Sequence, residues 1–469
     1  MSFLRDFLRH FGVDRAVSYA MAARMWQIPS GVVTTVLIAL CFQPDEQGVY
    51  YLILTLTGLQ SLADAGLINT LLHAASHETA KARFDRRGYL HAPRRARGRL
   101  SGMVRFATVW FLVASVTLVL VGVAAGAILL GRQDVFQTAF APLAVAMVLS
   151  GMAFSLAPLI AILEGCDQVR TVNRYRLGQT VLGSFVVWIC LVTGAGLWTA
   201  AASIATQLAW ELVLVGWRYR VFFLQLSRTP RNHFDWRHEI WPLQWRIGVQ
   251  SIVRYLAFLP ILPVLFDAHG PEIAGRYGMT WQVISNLMMV AYVYVRTRSP
   301  EFGRLIAERR RVESNLAFKR VTIGSTVLLV ALVTSFCVSL VLLNALQWPP
   351  TEQIVSRFLS ITACACFAVA VIPMHLTQCF SMFIRAQKFD PIWRVSLPSG
   401  LTLAALAYFS ALSGRVEWIA ASMTLTFGGS AIALSLMCRW YDQHFRQIEK
   451  GASRSDENGS QMENSGGLG

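Results

Sequence analysis

"MVRFATVWFLVASVTLVLVGVAAGAILL", Met103 to Leu130, has a single ionisable side chain, Arg105, near its start and none after it. A helix rises about 1.5 Å per residue, so a run of this length can cross the roughly 30 Å hydrocarbon core of a bilayer. About twelve such runs lie between Ala16 and Cys438. They read as spans near 16–41, 48–74, 103–130, 139–164, 177–194, 198–217, 245–267, 274–296, 321–346, 357–384, 393–412 and 417–438. Composition agrees: 55% of residues are hydrophobic, 14% are charged, and mean hydropathy is +0.48. The expected fold is an all-α, polytopic membrane protein with no soluble domain.

The formal charge of +16 does not make the chain a nucleic-acid binder, because its arginines are dispersed among interhelical loops rather than gathered on one face. On alternate loops and both termini sit 35 of the 42 Lys and Arg. The other side holds only Arg132, Arg276, Arg357 and Arg415, and Arg24, Arg246 and Arg254 fall within spans. By the positive-inside rule, both termini are cytoplasmic. The two most basic loops, Lys81–Arg105 and Arg296–Arg320, set topology and meet anionic headgroups. The polar, basic start, Met1–Asp14, has no removable signal pattern. The eight cysteines have no C-x-x-C pair and read as small buried hydrophobes.

The connection from Arg218 to Pro242 mixes Phe222, Phe223, Phe234, Trp236 and Trp241 with Arg228, Arg231, Arg237 and Glu239, which suits an interfacial amphipathic segment. It divides the chain into an N-terminal six-helix lobe (1–218), a cytoplasmic linker (219–244), a C-terminal six-helix lobe (245–450) and a polar tail (451–469) expected to be disordered. The halves echo each other. Arg24 precedes Pro29 as Arg254 precedes Pro260, and Gln60 and Asp64 in the second span match Gln282 and Asn286 in the eighth. Both halves start on the same side, so the repeat is parallel.

Charge inside a membrane is costly and marks function. Arg24 lies deep in the first span, and Arg246, Gln250 and Arg254 form an i, i+4, i+8 ridge entering the seventh. Together they make a wet cationic surface suited to an anion such as phosphate, the substrate-binding candidate. On the bland alternative, Arg246 snorkels beside Trp245 and Arg24 pairs with Asp64. Asp64, with Thr57, Gln60 and Ser61, gives the second span a polar stripe that could bind a coupling cation, take up a proton or neutralise Arg24. Glu164 and Glu211, near span ends, read as structural. Prolines 29, 142, 158, 260, 263, 373 and 398 supply bends, and Gly122 with Gly126 supplies close packing inside a lobe. His73 and His77 lack a third ligand nearby, so no metal is expected. No P-loop, G-x-S-x-G, H-E-x-x-H or G-x-G-x-x-G occurs, so no catalytic residue or cofactor is expected.

The stretches "PDEQGVYYLILTLTGLQSLADAGLINTLLHAASHE", Pro44 to Glu78, and "EGCDQVRTVNRYRLGQ", Glu164 to Gln179, resemble the polysaccharide-export branch of the multidrug/oligosaccharidyl-lipid/polysaccharide (MOP) flippase superfamily, the Wzx-like O-antigen transporters. The second half resembles them in topology and in its basic seventh-span entry. The resemblance implies two six-helix bundles enclosing a central cavity in a bacterial inner membrane. It further implies alternating access for an undecaprenyl-diphosphate-linked oligosaccharide in surface polysaccharide (lipopolysaccharide) biosynthesis, with membrane lipids and polysaccharide assembly proteins as partners.

Two other readings compete. A multidrug and toxin extruder of the same superfamily exchanges organic cations and should carry deep carboxylates, whereas the deep charges here are Arg24, Arg254 and Asp64. A membrane polysaccharide polymerase or ligase needs an outer platform for acceptor glycans, yet every outer loop is short.

Overall fold

The computed structural model describes residues 15–79, 83–85, 88–133, 135–230, 241–308, 310–387 and 391–465, with the side chains of 15–17, 242–244, 246, 247 and 442–465 outside the description. The first span is α1, Arg15–Cys41, which runs unbroken through Pro29. The second span breaks into α2 (Pro44–Thr57), α3 (Gln60–Asp64) and α4 (Leu67–Glu78). Pro44 opens α2 where no intrahelical N–H is needed, and Gln43 N donates to Glu46 Oε2 at 2.9 Å. Ala65 at φ 43° and Gly66 at φ 78° end α3 in the left-handed region, and the span bends by 46°.

An antiparallel two-stranded hairpin follows within the basic loop, β1 (Arg83–Phe84) and β2 (Leu90–His91), a small addition to the all-α fold. Then come α5 (Arg94–Arg132), α6 (Phe136–Leu163), α7 (Val169–Val192), α8 (Trp198–Leu212) and the short α9 (Arg220–Arg228). The hairpin docks on α9. Gln225 of α9 receives from Leu90 N and donates to Leu90 O, both at 2.9 Å, Ser101 Oγ donates to Leu226 O at 2.8 Å, and the Phe84 and Phe222 rings lie 5.3 Å apart. The start of the central linker therefore turns Phe222 and Leu226 into protein. Its remainder, with Arg231, Phe234, Trp236, Arg237 and Glu239, lies outside the described residues.

The rest is α10 (Trp241–Phe258), α11 (Ile261–Ala307), α12 (Arg311–Ala345), α13 (Pro349–Ser356), α14 (Ile361–Ala386), α15 (Trp393–Leu412) and α16 (Val416–Ser465). The polar tail, expected to be disordered, continues α16 as helix to Ser465. Nine helices among the described residues are long and apolar enough to cross a membrane, and the bent second span makes ten. Two of these, Phe136–Val192 with 57 residues and Gly248–Ala307 with 60, would each measure about 90 Å if straight, far more than a bilayer is thick. The first is interrupted at a π turn (Glu164–Gln168) with Asp167 at φ 64°, the second between Phe258 and Ile261 and again at Gly270 with φ 87°. Each thus supplies two spans, so the described chain has the twelve expected.

Glycine governs the tightest hairpin. A Cβ on Gly126 of α5 would meet the Leu143 side chain of α6 at 2.6 Å, and one on Gly122 would run into Met147. These glycines pack inside the fold, as their spacing predicts. The other side of α5 presents Leu112, Val113, Leu120 and Val121, all more than half exposed, as a face for lipid.

By packing, the chain forms two compact units. One comprises 1–283, 342–360 and 408–414, the other 284–341, 361–407 and 415–469, with a boundary inside α11. In the second unit α14 packs along α16 beside an aromatic cluster, in which Phe318 and Phe383 stack at 4.2 Å against Phe302.

Candidate functional site

The polar second span is built around its break. Asp64 closes α3, and its Oδ1 accepts from Ile68 N at 2.8 Å, capping the first turn of α4 across the left-handed Ala65–Gly66 pair. α10 crosses this point, packing against α3 and α4. Gly248 of α10 sits so close that a Cβ there would lie 3.3 Å from Ala65 O. The seventh-span ridge therefore starts beside the second-span break. Gln250 is half-buried, Arg254 is exposed with its guanidinium 5.4 Å from the Tyr255 ring, and the Arg246 side chain lies outside the described residues.

Arg24 is exposed on α1 and donates to Gln27 Oε1 at 3.1 Å. α1 packs along α7, where Trp26 Nε1 donates to Ser184 Oγ at 3.2 Å and Trp188 Nε1 to Thr34 Oγ1 at 2.9 Å. Arg24 and Arg254 thus stand on helices with different neighbours. The matched pairs of the two halves have different surroundings: Gln60 and Asp64 bracket the five-residue α3, whereas Gln282 and Asn286 are exposed on α11.

At the end opposite the basic loops, the second and eighth spans meet backbone to backbone. A Cβ on Gly48 would strike the Pro271 carbonyl, one on Gly275 would lie 2.8 Å from Gly48 N, and one on Gly278 would lie 2.6 Å from the Tyr51 ring. Buried Gln47 donates from Nε2 to Gly275 O at 2.9 Å and to Arg357 O at 3.1 Å. Arg357 Nη2 donates to Phe42 O, and Leu359 N donates to Thr280 Oγ1 at 3.1 Å. Arg132 pairs with Asp267 at 2.6 Å, and His269 Nε2 lies 3.0 Å from Ala411 O. Among the described residues, Arg357 Nε and Nη1 have no partner, nor does Gln47 Oε1. This seal was not foreseen from the sequence, although Gly48, Gly275 and Gly278 at the same ends of spans two and eight were its visible trace.

A cavity of about 140 Å³ lies between α6, α7 and α8, lined by Glu164, Arg176, Tyr175, Gln179, Trp210 and Glu211 among others. Arg176 pairs with Glu164, and Gln207 Nε2 donates to Glu211 Oε1 at 2.9 Å. Glu211 Oε2 is buried without a partner among the described residues. Both carboxylates read from sequence as span-end structure, yet they face one chamber large enough for waters or an ion. Among the described residues, no three His, Cys, Asp or Glu side chains gather as a metal site.

No family model matches the sequence, and no curated protein matches it significantly. Solved structures do. An inward-facing multidrug resistance MATE family transporter of the MOP superfamily is similar at TM-score 0.67 and 14% identity, over 92% of this chain and 99% of that one. An outward-facing MATE family transporter is similar at TM-score 0.59 and 12% identity, over 92% and 95%. A MOP superfamily transporter from Pyrococcus furiosus, whose binding pocket is described as of reverse polarity and suggesting a different function, is similar at TM-score 0.52 and 12% identity, over 92% and 95%. The chain has the fold of these multi-pass membrane transporters.

Proposed function

We propose that the chain is an alternating-access flippase for a lipid-diphosphate-linked oligosaccharide, seated in a bacterial cytoplasmic membrane with both termini inside and serving surface polysaccharide synthesis. The observation that carries this reading is the sign of the deep charge. Arg24 and Arg254 are cations within apolar spans, and the deep acid, Asp64, has an oxygen committed to holding a helix break. Guanidinium forks at that depth offset a diphosphate while the sugar crosses through water and the lipid tail stays in the bilayer. Gln250 adds a neutral donor between Arg246 and Arg254, and Gln60, Gln282 and Asn286 would line the path. The backbone-tight seal at one end fits a state closed to the outside, in keeping with the higher TM-score of the inward-facing neighbour. The Pyrococcus furiosus protein is a precedent for unlike pocket polarity within the fold.

The test is Arg24→Ala and Arg254→Ala in the producing strain. Each is expected to abolish surface polysaccharide while the protein inserts at normal levels. Unchanged polysaccharide in both variants rejects the site.

One observation favours a second reading, a MATE-like exporter that couples an organic cation to protons or sodium: the unpartnered Glu211 oxygen in the cavity shared with Glu164. In proteoliposomes with an imposed proton or sodium gradient, that reading requires uptake of a fluorescent organic cation that Glu211→Gln abolishes.

A further inference from the structure

A second pocket, which the transport reading leaves unused, carries three exposed arginines and no acid in its lining. It has a volume of about 300 Å³ and is lined by Tyr19 of α1, Arg170, Thr171, Arg174 and Tyr175 of α7, and Arg218 at the end of the span that begins with α8. Arg170 and Arg174 are four residues apart and so share one helix face. Two π turns shape the place: Glu164–Gln168 immediately before Arg170, and Val213–Arg218, which ends at the third arginine. They are tied together, because Tyr219 donates to Gln168 Oε1 at 2.7 Å and also hydrogen-bonds Thr171. Arg218 lies 5.4 Å from the Tyr219 ring.

Three like charges around one concavity repel unless something neutralises them. The lining supplies no carboxylate. Of the three acids in or beside these segments, Glu164 and Glu211 line the neighbouring cavity, where Glu164 already holds Arg176, and Asp167, exposed in the first π turn, is not part of the lining. Among the described residues, no ion pair involves Arg170, Arg174 or Arg218. Scattered topogenic arginines have no reason to converge in this way, in a lining shared with Tyr19 and Tyr175. We propose that this pocket binds a phosphate group at the basic-loop end of the protein. Guanidinium forks and hydroxyl donors match phosphate oxygens in charge and geometry. The phosphate belongs either to the headgroup of an anionic lipid entering from the leaflet or to a soluble phosphate compound. The inference goes beyond the proposed cargo and does not depend on it.

The test uses the purified full-length chain in an uncharged detergent. It is titrated separately with inorganic pyrophosphate, with micelles doped with phosphatidic acid, and with micelles doped with phosphatidylcholine, and binding is read by calorimetry. Saturable binding of pyrophosphate or phosphatidic acid, but not of phosphatidylcholine, is expected. The double variant Arg170→Gln/Arg174→Gln should weaken it tenfold or more, given what charge-assisted hydrogen bonds contribute. Arg298→Gln/Arg304→Gln, an equal charge change on α11, should leave it within twofold. Tyr19→Phe keeps all charges and should weaken it by a smaller factor, so the proposal stays testable if the double variant misfolds. Binding of phosphatidic acid alone assigns the lipid source, and binding of pyrophosphate assigns a soluble or diphosphate source. No saturable binding of either probe, or equal loss in the α11 control, overturns the proposal.

Discussion

Adding one methyl group at Gly48 should unseat the seal opposite the basic loops. The Cβ of Gly48→Ala would meet the Pro271 carbonyl oxygen, carbon and Cα, all backbone atoms, so no side chain can rotate away. From the other side, a Cβ on Gly275 would meet Gly48 N, Gly48 Cα and Gln47 C, again all backbone, so the spans must separate to admit the methyl. Overpacking of this kind typically costs about 1–3 kcal/mol. The cost falls only on the sealed arrangement, so the sealed-to-open ratio should drop by roughly 5- to 150-fold at 1.4 kcal/mol per decade. Thr280, 1% exposed and bonded to Leu359 N, reports on the change. In a background with the eight native cysteines replaced, Thr280→Cys is labelled with a membrane-impermeant maleimide applied from outside. Gly48→Ala should raise the labelling rate by at least fivefold. Gly31→Ala, at a glycine with nothing within 4 Å of the added atom, should not change it. Equal labelling in Gly48→Ala and the parent, with both correctly inserted, refutes the argument that this contact holds the end closed.

Other outcomes follow from contacts described above. Asp64→Asn keeps an acceptor for Ile68 N and should unfold within about a degree of the parent, whereas Asp64→Ala loses the cap, about 1 kcal/mol, and should unfold at a lower temperature by calorimetry. Loss of transport in Asp64→Asn with unchanged stability would instead make its charge functional. Gln225→Ala removes both bonds to Leu90, so trypsin should cut the arginine-rich hairpin between Arg83 and Arg94 several-fold faster in inverted vesicles. Gly126→Val forces a branched side chain onto Leu143 and should destabilise the chain by about 1–3 kcal/mol, read as a lower unfolding temperature in detergent.

The spans were legible because a bilayer imposes its thickness on the sequence: a stretch such as Met103–Leu130 has no alternative fate in water or lipid. Even the two overlong helices resolve from sequence once length is set against thickness. The packing role of Gly122 and Gly126 was legible for a similar reason, since only small residues let helices approach that closely. What stayed hidden depends on which residues meet. Glu164 and Glu211 are 47 positions apart, and nothing in either neighbourhood announces that α6, α7 and α8 turn them into one chamber. Asp64 was visible as an acid in a span, but its duty as a cap rests on two left-handed residues, and Ala65 gives no sign of one. Gln60 and Asp64 looked equivalent to Gln282 and Asn286 because spacing survives in sequence, while a helix that breaks beside one pair and a helix that is regular around the other give them different surroundings.

The sealed end combines a tight fit with polar groups left unsatisfied, and that combination bears on whether it can open. Gly48, Gly275 and Gly278 bring backbones into contact, which favours closure through many small dispersion terms. Against this, Arg357 is 6% exposed, with one nitrogen bonded to Phe42 O and two nitrogens unpaired, and Gln47 Oε1 is buried beside it without a donor. Each unpaired buried polar group costs about 1–3 kcal/mol. The same atoms regain water when the spans part, so the penalty belongs to the closed state alone. A fully satisfied seal of this size would be a static core; this one carries a built-in cost of the same order as the few kcal/mol that separate interconverting states in a switching protein. Removing the cost without touching the glycines is therefore informative. Arg357→Met keeps an unbranched apolar stem in the buried site while deleting the unpaired donors together with the one bonded to Phe42 O, and should slow maleimide labelling of Thr280→Cys below the parent rate. Faster labelling would mean that the Phe42 bond, and not the packing, is what holds this end shut.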